Sequence, residues 1–219
     1  MKHRLLVAVM FLSAGIAARA QRILSEGTVQ YDISVERNGG SPAMADMFDG
    51  ATAVLYLRGS LSRSEVNSAL GGTTTIYDHR SGSGVVLREF GAQRLLIKLT
   101  RQNWEDKNRK YEGIVFKNTG ERKEVAGFPC EKAEATMKDG TRFSVYYSRE
   151  LVAENATYDP QFSALQGMAL EYESVQGNMR IRYSAKSVSF DPVPMQKFEV
   201  PRTGYREMSY EESIRKGGN

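Results

Sequence analysis

The stretch Lys132-Ala133-Glu134-Ala135-Thr136-Met137-Lys138-Asp139-Gly140-Thr141-Arg142-Phe143-Ser144-Val145-Tyr146-Tyr147 decides the fold class. Ala133, Ala135 and Met137 alternate with polar residues, as do Phe143, Val145 and Tyr147. Period two puts one set of side chains on a dry face and the other on a wet one, which is a strand half-buried in a sheet. Lys138-Asp139-Gly140-Thr141 lies between the two runs and carries the Asp-Gly signal of a tight hairpin. A short turn forces antiparallel pairing, because a parallel crossover needs a dozen or more residues.

The same pattern recurs outward from this hairpin. Val29, Tyr31, Ile33 and Val35 alternate with polar residues until Asn38-Gly39-Gly40 breaks the run. Further strands are expected over 53–58, 61–66, 73–77, 85–90 and 94–99, with Gly59-Ser60 and Gly71-Gly72 as turn residues. Met168, Leu170 and Tyr172 alternate next, and Gln176-Gly177-Asn178 turns the chain into Met179, Ile181, Tyr183 and Ala185. The apolar phase then flips to Val188 and Phe190, which predicts a bulge near Lys186-Ser187.

Helical signals are few. Ser41-Pro42 followed by Met44, Met47 and Phe48, with Gly50 as the stop, has the grammar of a short amphipathic helix. Asp159-Pro160 leading to Phe162 and Leu165 before Gly167 has the same grammar. The charged segment 102–111, which holds Trp104, reads equally as a helical turn or a hairpin loop. The expected architecture is mainly β: one curved antiparallel sheet, an unclosed half-barrel, with one or two short helices on its concave face.

The N-terminus carries an address. Met1-Lys-His-Arg4 is basic, Leu5 to Leu12 is apolar, and Ala18-Arg19-Ala20 is a small-residue cleavage site. Residues 1–20 therefore read as a signal peptide cut after Ala20, and the destination as periplasmic or secreted. Residues 21–203 form the expected domain, and the polar segment 204–219 an expected fraying tail. Losing Lys2, Arg4 and Arg19 leaves 27 basic residues against 26 acidic ones, a formal charge of about +1. That balance gives no reason to expect a nucleic-acid partner. No later stretch has the roughly 18 apolar residues of a membrane span. Cys130 is the only cysteine, so no internal disulfide forms and no lipoprotein cysteine follows the cleavage site.

The chemistry-bearing residues are sparse. His79 is the one histidine beyond the leader, and the sequence places it in the loop Asp78-His79-Arg80-Ser81. No nucleophile elbow accompanies it, and one His with one Cys makes no zinc site. The Asp46 and Asp49 cluster lacks a full calcium-loop signature. Glu171 and Glu173 share one strand face, and Arg180 and Arg182 a matching face across the turn, which predicts cross-strand ion pairs. Arg63 and Glu65 also share a face. On the concave side they would anchor a ligand head group, and on the convex side they would be a surface pair.

Four blocks carry a resemblance: Val125-Ala-Gly127-Phe-Pro-Cys130-Glu-Lys132, Asp139-Gly140, Val145-Tyr-Tyr-Ser148, and Phe162-Ser-Ala-Leu-Gln-Gly-Met-Ala-Leu-Glu-Tyr172. Together they resemble the GLPGLI-type exported bacterial proteins and their relatives of unknown function. Those families look like distant members of the LolA/LolB lipoprotein-carrier superfamily. Val54-Leu-Tyr-Leu-Arg58-Gly-Ser-Leu-Ser-Arg63-Ser-Glu65 is similar to an early strand pair there. The resemblance implies a half-barrel whose short helices plug the concave face, with room for an acyl chain between.

The functional expectation is a non-catalytic envelope protein, without cofactor or metal, that binds a lipid or other apolar ligand in the concavity. Met44, Met47, Phe48, Leu55, Leu57, Phe162 and Leu165 would supply apolar wall and lid, and Arg63 a rim charge. The alternative is a structural or protein-interaction module of the envelope with a plugged core.

Overall fold

The computed structural model describes residues 21–36, 48, 50–176 and 179–216. Strands β1 (Arg22–Leu24), β2 (Glu26–Glu36), β3 (Thr52–Arg58), β4 (Leu61–Ser68), β5 (Gly71–Asp78), β6 (Ser83–Phe90) and β7 (Gln93–Leu99) make the first half. Helix α1 (Arg101–Asn108) and a 3₁₀ turn (Arg109–Tyr111) follow. Then come β8 (Val115–Val125), β9 (Phe128–Thr136), β10 (Arg142–Ser148), β11 (Leu151–Ala153), β12 (Met168–Gln176) and β13 (Met179–Ser189). A 3₁₀ turn (Met195–Phe198), β14 (Arg206–Met208) and helix α2 (Tyr210–Lys216) end the described chain.

Among the described residues, twelve strands form one curved, unclosed sheet in the order β14-β7-β6-β5-β4-β3-β2-β13-β12-β10-β9-β8. Every pairing is antiparallel except β14 on β7. β1 and β11 make a separate parallel pair that buries Leu24 and Leu151 against the main core. The opening hairpin is β9–β10, with Phe143 opposite Ala135 and Val145 opposite Ala133. The bulge is also present: register slips between Ala185 and Ser187, so Lys186 is the extra residue where the apolar phase flips.

Alternation puts a core on each face. Val29, Tyr31, Ile33, Leu55, Leu57, Leu170 and Ile181 belong to the largest cluster. Phe143, Val145 and Phe162 continue it beyond β12. On the opposite face of β5–β7, Ile76, Val85, Leu87 and Leu96 are covered by Val193 and Phe198. The chain segment after β13 therefore crosses the convex side of β5–β7 and covers this cluster.

Several expectations change here. The domain runs past residue 203: β14 extends the sheet edge, and Met208, only 7% exposed, packs with Val86, Ile97 and Leu99. Segment 102–111 is largely helix, because Thr100 accepts from the backbone N–H of Asn103 while the Asn103 side chain accepts from Thr100. That reciprocal cap fixes the first turn although the helix buries no residue completely. Residues 159–165 form successive turns rather than a helix, with Phe162 N–H donating to Asp159 and Leu165 N–H to Phe162. Met44 and Met47 lie outside the described residues. No described helix is long and apolar enough to cross a membrane.

Candidate functional site

A cleft of about 290 Å³ lies between the concave sheet face and a cover made by α1 and residues 158–162. From the sheet come Tyr31, Leu55, Ser62, Ser64, Val66, Thr75, Tyr172, Ser174 and Tyr183. From the cover come Trp104, Lys107, Tyr111, Tyr158, Asp159 and Phe162. A second hollow of about 430 Å³ adjoins it, sharing Trp104, Asn108, Tyr111, Pro160 and Gln161, and reaches Tyr77, His79 and Thr157.

Its walls are aromatic and hydroxylic rather than aliphatic. Tyr172 and Tyr183 are in register across β12 and β13 and stack with centroids 4.8 Å apart and planes 8° from parallel. Tyr31 and Phe162 meet Tyr172 edge-on at 5.8 and 4.7 Å. Trp104 lies flat on Tyr77 at 4.0 Å, and this contact anchors the otherwise polar α1 to the sheet. The Tyr31 hydroxyl donates to the Ala169 carbonyl at 3.0 Å, which satisfies a buried donor. Burial raises the phenol pKa values of Tyr31, Tyr158 and Tyr172, so all three stay neutral donors.

Asp159 brings an acid into this setting. Its Oδ1 accepts the Gln161 N–H at 3.0 Å. Burial raises its carboxyl above the ordinary 3.8, and that hydrogen bond and the Lys107 ammonium pull it back only in part. A raised folded pKa means stability is lost as pH climbs from the unfolded value toward the folded one. Asp159→Asn keeps the acceptor and removes the charge. It is expected to raise Tm at pH 7–8, by roughly 2–4 °C for each kcal/mol relieved. The advantage disappears as pH falls toward 3.8. Thermal melts of both proteins across pH 3–8 check this; an equal gain at every pH would exclude the charge as its origin.

The expected site residues separate into three groups. Leu55 and Phe162 line the cleft. Leu57 shares the face of Leu55 but is closed inside the core, and Leu165 packs beside Phe162 in the neighbouring cluster. Phe48 packs partly buried against the main core and lines none of the hollows named here, so Phe48→Asp is expected to weaken the fold rather than ligand uptake. Arg63 corrects the rim-charge expectation. It points to the convex face, meets Glu65 at 2.5 Å, and donates to the Lys197 carbonyl at 2.7 Å. The neighbours Ser62 and Ser64, not Arg63, face the cleft because strand side chains alternate.

Glu171 and Glu173 form ion pairs on the convex side, but not symmetrically. Glu173 takes both Arg180, at 3.0 Å, and Arg182, at 3.6 Å. Glu171 instead meets Lys123 of β8 at 2.7 Å and accepts from Ser184 at 3.0 Å. Burial pushes the lone Cys130 thiol up to about 12, which leaves it without thiolate at neutral pH. Among the described residues no group of three or more His, Cys, Asp or Glu is placed to hold a metal. His79 is not a free loop histidine: both ring nitrogens are engaged, with Ser62 and with Thr157.

No protein-family model matches the chain, and no curated protein matches it in sequence. Among solved structures, the chain is similar to the crystal structure of MucB, at 12% identity and a TM-score of 0.41. That match covers 82% of this chain and 58% of the MucB chain, so this protein spans little more than half the length of its structural neighbour.

Proposed function

We propose that this protein is an exported envelope component that holds an amphipathic ligand in its concave cleft. The observation that carries the reading is the cleft between sheet and cover, where aromatic rings, hydroxyls and one acid line the same space. Leu55, Val66 and Phe162 suit an apolar portion, while Ser62, Ser64, Thr75 and Asp159 suit a polar one. The leader-like N-terminus and the resemblance to lipoprotein-carrier relatives support the envelope as its location.

Trp104 is the chain's only tryptophan and borders both hollows, so it is a built-in probe. Titrating the mature protein with lysophosphatidylcholine or a long-chain fatty acid below micelle-forming concentration is expected to shift Trp104 emission saturably. Tyr183→Ala removes one face of the tyrosine stack and is expected to weaken that affinity about tenfold or more. Native mass spectrometry of protein from its own host should show a mass that organic solvent removes. A clean apo mass together with a flat Trp104 titration would sink this reading.

One observation favours the interaction reading. β8 is an edge strand of 11 residues, exposed along nearly its whole length, and its outer backbone is open to a strand from another chain. A flat titration combined with a reproducible envelope partner lost on Thr119→Pro would favour that reading instead.

A further inference from the structure

Ser62 faces the cleft as the second residue of β4, in register with Leu57 on one side and Tyr77 on the other. Its Oγ lies 3.0 Å from Nε2 of His79. The other ring nitrogen, Nδ1, lies 3.3 Å from Oγ1 of Thr157. Donors further along fix the protons. Asn155 Oδ1 accepts the Thr157 backbone N–H at 3.1 Å, which places the amide oxygen, not its nitrogen, on that side. The same oxygen lies 2.7 Å from Thr157 Oγ1. Two bare oxygens at that distance repel, so the Thr157 proton points at Asn155 and Thr157 Oγ1 accepts from His79 Nδ1–H. Nε2 is then the free base, and the Ser62 hydroxyl donates to it.

The ring is held in place. Tyr77 meets it edge-on at 4.9 Å and Trp104 at 5.8 Å. Burial lowers its pKa below 6.5 against the pull of Asp78, so the imidazole is neutral at pH 7. The relay ends on Asn155, whose Nδ2 is buried without a hydrogen-bond partner among the described residues.

We propose that Ser62 and His79 are a nucleophile–base pair that cleaves an acyl ester bound in the cleft. This rests on the cleft accepting a ligand. Ser62 Oγ bonds to the ester carbonyl carbon as its proton passes to His79 Nε2. The carbon–oxygen bond to the alcohol then breaks, and His79 returns the proton to the departing alkoxide. Water attacks the acyl-serine, giving its proton to His79, and the carboxylic acid leaves as Ser62 is reprotonated. Ser64 and Thr75, paired across β4 and β5 on the same wall, supply hydroxyl donors to the developing oxyanion. The backbone N–H groups that usually do so are engaged by the sheet. Thr157 and Asn155 are positioning residues that hold the tautomer.

The test uses the mature protein, a fluorophosphonate probe, and p-nitrophenyl esters of increasing chain length. One adduct is expected, localised by fragmentation to Ser62 rather than nearby Ser60. Ser62→Ala abolishes it, and His79→Gln slows it about 100-fold or more in a protein whose circular dichroism spectrum is unchanged. Thr157→Val slows it and Thr157→Ser restores it. Its rate falls as pH drops through a value below 6.5, set by burial and by the charges facing the ring: Asp78 at the end of β5, Arg101 and Glu105 of α1. No adduct on Ser62 in the unmutated protein, or one formed equally fast in His79→Gln, overturns the proposal. If Trp104 still responds to ligand in that case, the binding reading survives alone; if it does not, both fall.

Discussion

A chain ending at residue 203 is expected to unfold well below the temperature of the chain ending at 219. The segment looks dispensable on composition, being polar and closing on Lys-Gly-Gly-Asn. Its three apolar anchors say otherwise. Tyr205 packs over the convex cluster and donates to Glu89. Met208 lies with Val86, Ile97 and Leu99, and Tyr210 packs beside them. β14 also covers the outer edge of β7, opposite Leu95, Leu96 and Ile97. Fully burying a Met side chain stabilises by about 1.5–3 kcal/mol, and Tyr205 and Tyr210 are partly buried, so removing all three costs at least about 3 kcal/mol. For a domain of this size that is a fall of roughly 6–12 °C in Tm. Met208→Ala alone should lose about half as much. Urea and thermal unfolding of the three proteins decide it; coincident transitions for 21–203 and 21–219 would show that β14 contributes nothing.

That this segment looks like a tail while the central hairpins are legible is a matter of what burial writes into sequence. A strand with one wet face must alternate, so β2, β9, β10, β12 and β13 announce themselves, and even the extra residue Lys186 shows as a phase flip. β8 has no such face. It lies at the sheet edge, mostly exposed, and Lys-Asn-Thr-Gly-Glu-Arg-Lys-Glu over 117–124 carries no period. Backbone pairing to β9 holds it there. β14 is too short to show a period at all. Helix α1 lacks an apolar stripe, and only the Thr100–Asn103 cap marks it in the sequence.

The site was less legible than the fold. Leu55 and Phe162 follow from alternation and local turn grammar. The tyrosine wall does not, because Tyr31, Tyr172 and Tyr183 come from separate strands and look in sequence like ordinary core positions. His79, in the turn after β5, is 17 residues from Ser62 of β4, and Thr157 is a further 78 away. Only the sheet register and the fold of the 154–167 loop join them. The face of Arg63 stayed open for a simpler reason: alternation gives two faces, and nothing local says which is concave.

Gly167→Ala is expected to cost about 3–5 kcal/mol, far more than its single added methyl suggests. Gly167 closes the loop that covers the cleft and feeds β12. Its φ of +155° is already unfavourable for other residues, but sterics dominate. A Cβ there would lie 2.2 Å from the Ser148 carbonyl oxygen and 2.8 Å from its carbon. Both are backbone atoms of β10, whose Ser148 is in register with Met168, so neither can swing aside. The loop would have to lift, carrying Phe162 off Tyr172 and opening the cleft. Gly127 is the control. Its φ is +81°, yet nothing lies within 4 Å of its would-be Cβ, so Gly127→Ala meets conformational strain alone and should cost about 1 kcal/mol. Urea unfolding of both variants separates the two effects. Equal losses would mean that φ, not the close approach to Ser148, sets the requirement. A large loss at Gly167 with a weakened Trp104 titration would tie the seating of this loop to ligand retention.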